Sequence, residues 1–199
     1  MTTKNTTIAN PQGKASLAIL SDLQNFSPVN VKRKDIPRWL TDFFTSILVL
    51  NAQFNFKPVV DKEYYIYFHK QQWKLSLIEP QAWKTCPYDF FASCQLHEDK
   101  SWSIAPTEGW EKKLHLRKSI DKLRKEFFDA LNIETPVVDT LPYYASHLPY
   151  YQRLAANGLA RSLKLSLELK LGTNHSQSVC GKELMGRLNN GNHSIKSLL

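Results

Sequence analysis

Between Asp35 and Leu50 the apolar residues recur as they do on one face of a helix. Ile36, Trp39, Leu40, Phe43, Phe44, Ile47 and Leu48 stand at i, i+3, i+4, i+7, i+8, i+11 and i+12. Asp35 is a good N-cap, Pro37 fits a first turn, and Pro58 stops the helix before it can run further. The polar side of this stretch holds Thr41, Asp42, Ser46 and Gln53 and little positive charge. Helices that lie on membranes carry Lys and Arg there, so the stripe predicts core packing.

The period then changes from helical to alternating. The stretch EYYIYFHKQQWKLSLIE, Glu63 to Glu79, reads as a hairpin. With the turn at Gln71 and Gln72, one face pairs Phe68 with Leu75, Ile66 with Leu77 and Tyr64 with Glu79, and holds Trp73 at its turn end. The other face pairs His69 with Lys74, Tyr67 with Ser76 and Tyr65 with Ile78. A four-residue loop or a one-residue slip would exchange the two faces, because strand side chains alternate.

Pro80 to Trp83 breaks the pattern, and DFFASCQLHE predicts a third strand. Its alternation sets Phe90, Ala92, Cys94 and Leu96 on one side, and Phe91, Ser93, Gln95 and His97 on the other. Glu98 to Lys100 form a turn before a fourth strand, SWSIA. Strands in succession suggest an antiparallel meander of three to four strands. Residues 107–131 predict a long helix with Leu116, Ile120, Leu123, Phe127 and Leu131 inward. Pro136, Pro142 and Pro149 mark an extended linker, and a last long helix is expected from near Ser146 to near Gly172. Inside it LKLSLELKL, Leu163 to Leu171, alternates like a strand, but Leu, Lys and Glu favour helix and no turn separates the run from what precedes it. The expected fold is therefore α+β, a small antiparallel sheet packed with about three long helices. It would form one domain over residues 15–171, with a short helix from Ala15 to Gln24. Residues 1–14 are expected to be flexible, and 172–199 a mostly flexible basic tail with a short helix at Ser178–Leu188.

Composition adds limits. With 42% hydrophobic and 22% charged residues the chain has the make-up of an ordinary globular protein. The net charge of +8 suggests an affinity for anions, but residues 45–106, the sheet region, hold six basic and six acidic side chains. The excess lies on the helices and both ends, where a solvated basic surface is the plainer explanation. Three cysteines, Cys86, Cys94 and Cys180, make no disulfide framework and fit a reducing compartment. The first residues lack the shape of a signal peptide, and the longest apolar segment, Phe43 to Leu50, is far short of a membrane span. A cytoplasmic protein without a membrane partner is expected.

No phosphate-cradling glycine loop, HExxH, CxxC or GxSxG motif is present. Cys86, Cys94, His97 and His69 are the residues types of a zinc site, but Cys94 and His97 are three apart and should point to opposite sides of a strand. Cys94 on an apolar face would have a raised pKa, wrong for a nucleophile, and Cys86 has no assigned base. No metal, cofactor or catalytic residue is therefore assigned. What remains is the second sheet face: Tyr65, Tyr67, His69, Lys74, Ser76, Phe91, Gln95 and His97. Aromatic and polar groups mixed on an open sheet stack bases or line a ligand site. The alternative is that a helix covers this face, since two or more long helices must pack somewhere.

Several motifs occur in order: Tyr64-Tyr65-x-Tyr67, Ser76-x-Ile78-x-Pro80-x-x-Trp83, Cys86-Pro87-x-Asp89-Phe90, Leu96, and Asp99-x-Ser101-Trp102. As a set they resemble the domain-of-unknown-function 2452 family. Asn10-Pro11-Gln12-Gly13, Phe56-Lys57-Pro58-Val59 and Leu148-Pro149-Tyr150-Tyr151-Gln152-Arg153 look like its bacterial branch. The resemblance implies no activity or catalytic residue. The leading expectation is a non-catalytic binding or adaptor protein for a protein or small ligand. The alternatives are an RNA-binding module, or an enzyme with an unfamiliar site around Cys86, His69 or His97.

Overall fold

The structure, a computed structural model, describes residues 21–143 and 145–189. It is α+β. Residues 21–25 are helical, and the rest of the helix expected from Ala15 lies outside the described residues. The main elements are α1 (Ile36–Leu50), β1 (Glu63–His69), β2 (Gln72–Ser76), β3 (Asp89–Leu96), β4 (Trp102–Pro106), α2 (Leu114–Leu131), α3 (Tyr150–Leu171), α4 (Thr173–Ser178) and α5 (Gly181–Asn189). None of the described helices is long and apolar enough to cross a membrane.

α1 begins as its sequence predicts, with the Asp35 carboxylate accepting from the Arg38 amide at 2.9 Å. Its apolar stripe is wide enough to serve two cores. Trp39, Leu40, Phe43 and Phe44 pack with Phe127 of α2 and Leu159, Leu163 and Leu167 of α3. Leu48 and Val49, near its end, pack on the sheet with Tyr64, Ile66, Phe91, Leu96 and Trp102. The Trp39 indole N–H donates to the Leu163 carbonyl at 2.9 Å, tying α1 to α3 in the interior. α1 is thus the central helix.

The LKLSLELKL run is helical throughout. Leu163 and Leu167 are buried, four residues apart, whereas Leu165 and Leu169 are 44% and 54% exposed. A strand would have put all of them on one side. α2 starts at Leu114 rather than at 107, because β4 continues to Pro106 and Gly109 takes a left-handed φ of 73° ahead of a short 3-10 turn. Residues 173–189 form α4 and α5; α5 matches the short helix expected at Ser178–Leu188, α4 was not expected, and Val179 and Leu184 are buried in the helical core. The tail's polar composition concealed two apolar anchors. Residues 1–14 and 190–199 lie outside the described residues.

The sheet is antiparallel throughout, in the order β2-β1-β3-β4. The order is not sequential, since β3 pairs with β1 and not with β2. The chain leaving β2 must therefore cross β1, and residues 77–88 do so over one face of the sheet. Both edges are partly capped. Gln53 exchanges backbone bonds with Trp73 (2.8 Å) and Leu75 (3.1 Å) on β2. On β4, Thr45 Oγ1 donates to the Trp102 carbonyl (2.7 Å) and Ser46 Oγ accepts from its amide (2.9 Å). Such capping removes groups that would otherwise template strand addition.

The hairpin turns at Lys70 and Gln71, one residue earlier than expected, with φ of 47° and 66°. Tyr65 faces Ser76, Tyr67 faces Lys74, and Phe68 faces Trp73. Every pairing is shifted by two residues, so each side chain keeps its expected face. The two-residue turn with both φ positive matches strand twist, and it brings the Phe68 and Trp73 rings to 4.6 Å. Left-handed backbone costs an ordinary residue about 1 kcal/mol or more. Lys70→Asn with Gln71→Gly should accordingly raise stability by about 1 kcal/mol. Urea unfolding of the double variant measures this, and an unchanged midpoint would mean the turn is not strained.

Candidate functional site

The face carrying Tyr64, Ile66, Phe68, Trp73, Leu75, Cys94, Leu96 and Trp102 packs on α1 and α2. The other face carries Tyr65, Tyr67, His69, Lys74, Ser76 and Gln95, as expected, and His97 lies just beyond the end of β3. Among the described residues no helix covers this second face. The cover is the crossing segment, residues 77–88, and it is partial.

One expected member is misplaced. Phe91 is fully buried on the core face, 5.1 Å from the Trp73 ring and 5.3 Å from Trp110. The register of β3 against β1 slips between Ile66 and Tyr67: Ile66 pairs with Ala92, but Tyr67 pairs with Phe90. Phe91 is the extra residue of a β-bulge, which turns it to the same side as Ala92. Phe90 takes its place on the second face, 5.6 Å from Tyr67 and 6.3 Å from Tyr65.

Tyr67 is the centre of the covered part. Its hydroxyl donates to the Ile78 carbonyl at 2.8 Å and accepts from the Trp83 indole N–H at 3.2 Å. The Ile78 amide in turn donates to Ser76 Oγ at 3.0 Å. The rings of Trp83, Tyr88 and Phe90 surround Tyr67 at centroid distances of 6.0, 6.2 and 5.6 Å. Tyr67 is thereby fully buried, and burial above all raises its phenol pKa, with the Trp83 bond opposing. Between these contacts the crossing segment faces solvent: Leu77, Ile78, Glu79, Gln81, Ala82 and Lys84 are all exposed. It is a flap held at Ile78, Trp83 and Tyr88, by hydrogen bonds to Tyr67 and Ser76 and by ring packing.

Around the flap lies the open surface. Lys74 Nζ stands 4.8 Å over the Tyr88 ring, and His69 meets the same ring edge-on at 5.3 Å. Tyr65 is half-buried, its hydroxyl 3.1 Å from Glu63 Oε2. Burial first, and Glu63 second, raise its phenol pKa. Further along β3, Gln95 Nε2 donates to the Asp61 carbonyl at 3.0 Å, and His97 Nε2 lies 2.8 Å from Ser103 Oγ. Among the described strand residues of this face Lys74 is the one lysine or arginine, and Glu63 and Glu79 lie near Tyr65.

The reactive candidates do not converge. Cys94 is buried on the core face, and burial pushes its thiol well above the ordinary value. Cys86 is exposed in the flap, its thiol donating to the Tyr88 carbonyl at 3.2 Å. His69 reaches Tyr88 too, but His97 stands beyond the far end of β3, about 25 Å away along the strand. Among the described residues no three His, Cys, Asp or Glu side chains gather as metal ligands would. The flap aromatics Trp83 and Tyr88 were missed in the sequence. Their signal was two aromatics, Trp83 and Tyr88, in a long connection marked by Pro80 and Pro87, but nothing local says that such a loop folds back over the sheet. No family model, curated protein or solved structure matches the chain.

Proposed function

We propose that this is a non-catalytic binding protein whose contact surface is the helix-free face of the sheet together with its flap, and that its partner is a peptide or protein segment. The observation that carries the reading is that α1 and α2, the long helices that pack on the sheet, cover its opposite face, which leaves Tyr65, His69, Lys74 and Gln95 beside the flap. Half-exposed aromatic rings with hydrogen-bonding rims are common at protein contacts, because they offer large area at low entropic cost. The near balance of charge favours such a partner over a polyanion. Five of the residues in the motifs that resemble the domain-of-unknown-function 2452 family, Tyr67, Ser76, Ile78, Trp83 and Phe90, meet where the flap crosses the sheet. That supports the flap, more than the bare strands, as the surface to examine.

A displayed peptide library selected on the full chain tests the reading, with affinities of the selected peptides then measured at two salt concentrations. Tyr65→Ala with Lys74→Ala should weaken binding by tenfold or more, about 1.4 kcal/mol, with little salt dependence. Tyr67→Phe removes both flap bonds while keeping the ring, and should change peptide affinity without unfolding the protein. Peptides whose affinity ignores all three substitutions would sink the proposal. An RNA ligand would reveal itself by a steep fall of affinity with salt in the same measurements.

A further inference from the structure

Among the described residues a further cavity lies between the β1–β2 turn, the end of α1 and the outer side of α2. It has a volume of about 790 Å³. Its α2 wall presents His115, Lys118 and Lys122, and the opposite wall presents the side-chain amides of Asn51, Gln53, Gln71 and Gln72. These spacings, i, i+3 and i+7, set the three basic groups along one stripe of the helix. Beyond Leu123 a second hollow of about 220 Å³ follows, lined by Phe43, Ile47, Phe127, Ala130 and Leu131. The two share Asn51, Leu123 and Glu126 as common walls. Together they make one furrow along α2, polar and basic at one end and apolar at the other.

The charges at the polar end are unequally engaged. His115 Nε2 pairs with Asp89 at 2.9 Å. Lys122 Nζ is only loosely paired with Glu126, at 3.8 Å, and both side chains are mostly exposed. Lys118 has no ion pair among the described residues. Two exposed ammonium groups beside the side-chain amides of Gln53, Gln71 and Gln72 form a site for an anion with hydrogen-bonding oxygens, a carboxylate or a phosphate; the Asn51 amide donates to the Ile47 carbonyl at 2.9 Å. Lysine binds either as a point charge. From Leu123 to Leu131 the apolar end runs about 12 Å along the helix, a length that an acyl chain of medium size spans. The Glu126 carboxylate at the junction repels an anionic head, which sets the head toward Lys118.

We infer that this furrow binds a soluble single-chain amphiphile, with its anionic head at Lys118 and Lys122 and its apolar tail along Leu123, Phe127 and Ala130. The site is separate from the helix-free sheet face, so neither reading depends on the other.

Titration calorimetry of the full chain with decanoate and decyl phosphate, below micelle-forming concentrations, is the test, with amide chemical shifts locating the ligand. Both should bind and shift the amides of Gln71, Gln72, Lys118 and Ala130. Lys118→Ala with Lys122→Ala should weaken binding tenfold or more, and Glu126→Gln should tighten it. Ala130→Glu, at an exposed position, should block the tail and also cost tenfold or more. Decanol binding as well as decanoate would remove the head site, and inorganic phosphate binding as well as decyl phosphate would remove the tail site. Either result overturns the inference. So does binding that ignores these substitutions, or binding to anionic phospholipid vesicles without binding to monomeric decanoate.

Discussion

Asp42→Ala should lower the stability of the protein by about 3 kcal/mol, the low end of what breaking a buried ion pair costs. Asp42 stands on the nominally polar side of α1, yet its side chain is only 4% exposed. Its Oδ1 pairs with Arg38 Nε at 2.9 Å, and its Oδ2 faces Lys34 Nζ at 2.7 Å, off the direction of a hydrogen bond. Lys34 also holds Asp99 Oδ2 at 2.6 Å, and Asp99 Oδ1 accepts from both the amide and the hydroxyl of Ser101. Burial raises the Asp99 pKa, but the bonds from Lys34 and Ser101 outweigh it, and the carboxyl titrates below its ordinary value. The network ties the segment before α1 to the β3–β4 turn. Removing Asp42 leaves Lys34, itself 13% exposed, with one carboxylate in place of two. Denaturant unfolding of Asp42→Ala measures the loss. A change under about 1 kcal/mol would place the pair with solvent-screened surface bridges.

Gly158→Ala should destabilise by about 2 kcal/mol, within the range of overpacking a tight contact. In an open helix the same change stabilises by about 1 kcal/mol, because alanine is the better helix former. At Gly158 in α3 an added Cβ would overlap the carbonyl oxygen of Phe26 and come within 3.2 Å of Lys100 Cγ. The carbonyl is backbone and cannot rotate away, so the sign reverses. Gly186 in α5 is the internal control, since nothing lies within 4 Å of a Cβ built there. Gly186→Ala should raise the unfolding midpoint and Gly158→Ala should lower it. Midpoints that move in the same direction would mean that α3 is free to shift away from Phe26.

The candidate surface was partly legible. Which side chains of the hairpin share a face follows from alternation alone, and it survived an error of two residues in register because that error is even. The same reasoning failed at Phe91, where a bulge adds one residue and flips the side. Phe90 and Phe91 are identical in type, so no local preference distinguishes them. Packing does, since the core between Trp73 and Trp110 accepts one ring and the space beside Tyr67 the other.

By itself the sequence determined the α+β class, the start of α1 at Asp35, and the membership of Tyr65, Tyr67, His69 and Lys74 in one face. Each of these depends on neighbours within a few turns or strand residues, where periodicity, capping and propensity act. Only the tertiary structure decided the rest. The order β2-β1-β3-β4 sends residues 77–88 across the sheet and buries Tyr67 under Trp83. The burial of Asp42 depends on Lys34 and Asp99, the latter 57 residues away. The docking of α4 and α5 depends on Val179 and Leu184 joining the core formed by α1, α2 and α3. The furrow along α2 exists because the hairpin turn and α1 end beside it. These outcomes depend on contacts between distant segments, which no local pattern encodes.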